Sequence, residues 1–121
     1  MSELHISVIF PTRNRASTLS KALESLLAQT MPLDRFEVIV ADNGSTDDTA
    51  EICRNFSKQF PHFQYLFVAK PGLHQGRHAG MDAAGAPILT FADDDIVAFP
   101  SWLSGISEAF QDPSVGLVGG K

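Results

Sequence analysis

Four short runs, Ile6–Phe10, Phe36–Ala41, Phe63–Val68 and Ile88–Ala92, are largely apolar, and each ends at polar or turn-forming residues. Runs of this length and uniformity fit strands buried on both faces, as in parallel sheets. The segments between them carry helical periodicity instead. From Ser17 to about Gln29, Leu19, Ala22, Leu23, Leu26 and Leu27 form one apolar stripe, with Lys21 and Glu24 on the opposite side. Ser45 reads as the cap of a second helix, with Asp48 completing an approximate capping box, and Thr49, Ile52, Cys53, Phe56 and Phe60 share one side. A short Gly/Ala-rich helix is expected over about 75–84, a composition that permits close packing. Pro100 or Ser101 opens a last helix whose inner face is Trp102, Leu103, Ile106, Ala109 and Phe110, and Val115–Val118 reads as a fifth strand. Pro11 is expected to end the first strand, because proline cannot donate to the ladder.

Alternation of this kind specifies an α/β fold: a mostly parallel open sheet with helices on both faces and right-handed crossovers. All strand-to-helix turns then open on one edge of the sheet. Residues 11–14, 42–44 and 93–95 are therefore expected to meet around one ligand.

Length sets the scale of the molecule. At 121 residues the chain is expected to be a single α/β domain over 1–121, large enough for a core but small for an enzyme binding two substrates. The net charge is −5 and Lys and Arg form no block, so nucleic acid is not an expected partner. The single cysteine, Cys53, excludes an internal disulfide and falls on an apolar helical stripe, which marks it as a buried structural thiol. The N-terminus lacks the pattern of a signal peptide, and no apolar run is long enough to span a membrane. A cytoplasmic location is expected, with membrane association only through a longer parent protein.

Asp93, Asp94 and Asp95 follow the fourth apolar run directly. Two unit charges about 5 Å apart repel by roughly 3 kcal/mol at an effective dielectric near 20, so three adjacent carboxylates favour a positive partner. A hard divalent cation would serve. In extended backbone Asp93 and Asp95 point to one side and Asp94 to the other, so one face could hold a metal and the other a hydroxyl-rich ligand. A solvated acidic turn fits the same three residues. The familiar phosphate cradles are absent: Pro-Thr-Arg-Asn follows the first strand in place of Gly-x-Gly-x-x-Gly, and the chain has no Walker A sequence.

Four segments in order, Ser7–Asn14, Val38–Asp47, Gly72–Gly80 with Arg77, and Phe91–Asp95, closely resemble the family 2 glycosyltransferases of GT-A fold. The resemblance runs over nearly the whole chain. It implies that Pro11, Thr12 and Arg13 lie against the base and ribose of a nucleotide, and that Asp42 hydrogen-bonds the base, commonly uracil. It implies that Arg77 approaches the base or phosphates. Asp93-x-Asp95 matches the DXD motif, in which Asp94 and its neighbour reach ribose and Asp95 contacts Mn²⁺ or Mg²⁺ on the diphosphate. Asp93 is the second candidate ligand of that metal. His78 and Gly76 depart from the usual Ala-Arg-Asn pattern around Arg77, and Gly85-Ala86-Pro87 departs from the usual Arg-Gly-acid turn.

The function implied is inverting transfer of a sugar from a nucleotide-diphosphate sugar, in the first instance a UDP-sugar, to an unidentified acceptor. Family members usually carry the general base and most of the acceptor site in a second half beyond the DXD. No base is identifiable here, and the chain is expected to be a donor-binding half that is inactive or weakly active alone. The alternative is a non-catalytic module of the same fold, assembling as a homodimer through exposed apolar surface. A metal-dependent nucleotidyltransferase is a third reading, but the glycine- and basic-rich phosphate loop it would need is missing.

Overall fold

The computed structural model describes residues 4–68, 79–93 and 96–109. Strands β1 (Ile6–Thr12), β2 (Phe36–Asp42), β3 (Phe63–Phe67) and β4 (Ile88–Phe91) form one sheet in the order β3-β2-β1-β4. Every pairing is parallel, with Ile6 opposite Phe36 and Ile88, and Val38 opposite Phe63. The helices are α1 (Ala16–Leu27), α2 (Thr49–Ser57) and α3 (Trp102–Ala109), with helical backbone also over 79–83. The fifth strand expected at Val115–Val118 lies outside the described residues.

Side-chain alternation along the two central strands divides the structure into two layers. Ile6, Val8 and Phe10 of β1 and Phe36, Val38 and Val40 of β2 point to one face. There they join Leu19, Leu23 and Leu26 of α1, Cys53 and Phe56 of α2, and Trp102, Leu103 and Ile106 of α3 in one core. Each fully buried leucine or isoleucine in such a cluster contributes roughly 2–3 kcal/mol of apolar burial, which is what fixes these helices in place. The opposite face is covered by residues 79–86. A Cβ on Gly80 would overlap the Cγ2 methyl of Ile9, so glycine lets this short helix lie directly on the strand. Expected close packing of the Gly/Ala-rich segment is thus met at Gly80.

A buried acid joins the layers at the amino ends of the strands. Glu37, 4 % exposed, accepts hydrogen bonds from Ser7 Oγ, the Gly85 N–H and Gln64 Nε2, the last at 3.2 Å. Ser7 Oγ in turn accepts the Ala86 N–H at 3.1 Å. The turn entering β4 is thereby pinned to both central strands.

Two local expectations are corrected. Pro11 does not end β1, which continues to Thr12. Along a parallel strand the backbone groups face alternate neighbours: Ile9 O accepts Ala92 N at 2.9 Å on one side, and Thr12 O accepts Asn43 N at 2.8 Å on the other. Pro11 is in phase with Ile9, so its missing N–H faces β4, whose strand stops at Phe91. No ladder bond is lost. Ser45 does not cap α2, which starts at Thr49; Asp47 supplies the acceptor, taking both the N–H (3.1 Å) and the hydroxyl of Thr49.

Candidate functional site

The strand order places a topological switch at β1. The chain leaves β1 towards β2 and β3 on one side, then returns to lay β4 on the other. In open parallel sheets the crevice beyond the carboxyl ends at such a point is where ligands bind. The carboxyl ends here carry the residues singled out above. Thr12 is the last residue of β1 and pairs with Asp42, the last of β2. Asp93 follows Ala92, whose N–H is bound to Ile9 of β1. The first, second and fourth strand ends thus bring Pro11, Thr12, Arg13, Asp42 and Asp93 to one edge. Arg77, Asp94 and Asp95 lie outside the described residues.

Exposure differs sharply along this edge. Thr12 and Asp42 are buried, Pro11 is half-buried, and Arg13 and Asp93 are exposed. Asp42, 1 % exposed, is held by donors from two other places: Ser45 N–H to Oδ1 at 2.9 Å and the Tyr65 hydroxyl to Oδ2. Burial, and then the bond and charge of Asp42, push the Tyr65 hydroxyl well above the usual phenol range, so Tyr65 stays a donor at every physiological pH. Tyr65 went unnoticed in the sequence; its signal is the two-residue step from Phe63, which turns it to the α2 face of β3.

The two turns at the ends of β1 and β2 are tied together by side chains. Asn14 has a left-handed backbone, φ 53°, and its Oδ1 accepts Thr46 N at 2.7 Å and Asp47 N at 3.3 Å. Its own N–H donates to Ser45 Oγ at 2.8 Å. Gly44, φ 84°, supplies the other left-handed residue, as the Asn-Gly sequence requires. Asp47 takes the Ala16 N–H at 3.2 Å, so one carboxylate serves the first turns of both α1 and α2. The hydroxyl bond from Thr49 is the main cause that holds the Asp47 carboxyl below its usual range, against a smaller opposing effect of desolvation.

Cys53 lies under this edge, fully buried on α2. Burial, with a smaller contribution from the Asp42 charge, pushes its thiol up to about 12. It is a packing residue and not a nucleophile. Among the described residues no three His, Cys, Asp or Glu side chains cluster as a metal site, and Asp93 alone supplies a hard oxygen donor at the end of β4. No helix among the described residues is long and apolar enough to cross a membrane.

A parallel sheet of this order, with its polar turns gathered at the switch point, defines an α/β domain of GT-A type. The chain belongs to glycosyl transferase family 2, whose pattern residues 7–121 match. It is 35 % identical over 116 residues to glycosyltransferase AglE of Haloferax volcanii, covering 95 % of this chain and 38 % of that protein. The mannosyltransferase PcManGT of Pyrobaculum calidifontis, solved with GDP-Man and Mn²⁺, superposes with a TM-score of 0.86 at 26 % identity, over 93 % of this chain and 34 % of its own. TarS 1-349 of S. aureus, solved with UDP-GlcNAc, superposes with a TM-score of 0.81 at 26 % identity, over 90 % and 32 % of the two chains. The chain thus spans about a third of the length of these relatives.

Proposed function

We propose that this chain is the donor-binding part of an inverting glycosyltransferase, taking a nucleotide-diphosphate sugar, in the first instance a UDP-sugar. The observation that carries this reading is the meeting of Thr12, Asp42 and Asp93 at the carboxyl edge of three adjacent strands, across the switch point. The solved relatives that hold UDP-GlcNAc or GDP-Man with Mn²⁺ support the ligand class.

In this reading Pro11, Thr12 and Arg13 lie along the base and ribose, Asp42 accepts a base N–H, and Arg77 approaches the base or phosphates. Asp94, with Asp93, reaches the ribose hydroxyls. A divalent cation, Mn²⁺ or Mg²⁺, held by Asp95 and Asp93, would neutralise the diphosphate as it departs. Carboxylates are the donor type such ions prefer. The acceptor and the general base stay unassigned.

Titration calorimetry with UDP and Mn²⁺ tests the reading directly. Binding is expected for the wild-type chain and a strong loss for Asp95→Ala. Absence of wild-type binding, or equal binding by the variant, would sink it. A stable dimer indifferent to every nucleotide would favour the assembly module instead.

A further inference from the structure

The base-contacting role of Asp42 leaves open how its carboxylate comes to face a ligand, and the edge strand answers that. The terminal torsion of aspartate is broad, so one hydrogen bond leaves the carboxylate plane free to turn. Among the described residues Asp42 has two, one on each oxygen, from different parts of the chain. The Ser45 N–H belongs to the turn that Asp42 itself begins, whereas the Tyr65 hydroxyl comes from β3. With Asp42 only 1 % exposed, water does not compete for these positions.

We infer that Tyr65 is a positioning residue: its hydroxyl, together with the Ser45 N–H, presets the plane of the Asp42 carboxylate so that an imide N–H of a pyrimidine base meets an already oriented acceptor. The inference rests on the nucleotide-binding reading above and adds a residue that the family motifs do not supply. The physical gain is preorganisation. A carboxylate already turned and stripped of water loses little freedom when the ligand arrives. Removing the hydroxyl leaves Asp42 chemically intact but takes away the donor that fixes Oδ2.

Tyr65→Phe is the informative variant, because it keeps the ring against α2 and deletes only the donor. Calorimetry on the full chain with Mn²⁺ compares UDP with its N3-methylated analogue, which has no imide N–H. The expected result for Tyr65→Phe is a loss of about five- to tenfold in UDP affinity, the size of one hydrogen bond's net contribution. Affinity for the methylated analogue should be unchanged, and in an Asp42→Asn background the tyrosine substitution should add nothing. Wild-type affinity for UDP in Tyr65→Phe would overturn the inference. So would an equal loss for both nucleotides, or a full loss in the Asp42→Asn background, since these are marks of a merely structural role. If the wild type binds no UDP at all, the nucleotide reading fails and Tyr65 falls with it; failure in the variant alone leaves that reading standing.

Discussion

Asp47, in the turn after β2, caps a helix that begins 31 residues earlier: its Oδ2 accepts the Ala16 N–H at the start of α1. Its Oδ1 serves Thr49 at the start of α2. One carboxylate thus answers the unsatisfied donors and the positive ends of two helices at the edge where the candidate site lies.

Asp47→Ala should therefore cost more than an ordinary cap substitution affecting one helix, about 2 kcal/mol against the usual ~1, measured by urea denaturation at neutral pH. The pH dependence follows from the direction of the titration shift. The folded-state carboxyl is held below its ordinary 3.8, so its contribution is fully present above that value and disappears as pH falls through the lower, folded value. The stability gap between wild type and Asp47→Ala should be flat near neutrality and close only in acid. A gap that widened on acidification would contradict this.

Gly80 tests the second layer. Alanine is intrinsically the better helix former by about 1 kcal/mol, but its Cβ would overlap Ile9 Cγ2, a branched methyl held in the sheet at 0 % exposure. Overpacking of this kind costs roughly 1–3 kcal/mol, so the steric effect wins. Gly80→Ala is expected to lower stability by about 1–2 kcal/mol in equilibrium unfolding. The cost should shrink when Ile9→Ala removes the opposing methyl. A stabilised Gly80→Ala protein would mean that the short helix stands off the strand.

Much of this architecture was legible because it depends on local pattern. Apolar runs and helical stripes alternate along the chain, and parallel connectivity then gathers residues 11–14, 42–44 and 93 at one edge without further information. What could not be read depends on partners distant in the chain. Pro11 stays in its strand only because β4 stops before reaching it. Ser45 looked like a cap but turns to the Asn14 N–H, leaving Asp47 to act at Thr49. Tyr65 matters because β3 lies beside β2, which no local signal announces. Glu37 is the one polar residue of the apolar run Phe36–Ala41, and nothing beside it in the chain shows what it binds. Its three donors come from β1, β3 and the turn before β4.

That network gives a third prediction. Glu37→Ala would take away the acceptor of the Gly85 N–H and one of the two acceptors of Gln64 Nε2, which keeps its bond to Ala83 O at 3.1 Å, and would open a cavity between the strands. A loss of about 2–4 kcal/mol is expected from the combined desolvation and cavity effects. Glu37→Gln fills the space but turns an amide NH₂ towards donors, so it should fall between alanine and wild type. Thermal unfolding of the two variants orders them, and a neutral Glu37→Ala would show that the turn into β4 needs no pin.

Asn14 joins backbone conformation to the site itself. Its φ of 53° is a region that asparagine and glycine enter far more readily than residues with an ordinary Cβ. Its side chain meanwhile accepts from Thr46 and Asp47 across the gap between the two turns. Two substitutions separate these contributions. Asn14→Gly keeps the left-handed backbone accessible and removes only the acceptor, for about 1 kcal/mol from the lost hydrogen bonds. Asn14→Ala removes the acceptor and adds roughly 1–2 kcal/mol of conformational strain, so it should be the less stable of the two. Because the turns following β1 and β2 would flank the nucleoside, both variants should also weaken UDP binding, and by similar factors, since each loses the same tie. Equal stability of the two variants would count against the strained backbone. UDP affinity that survived both substitutions would show that the turns hold their places without Asn14.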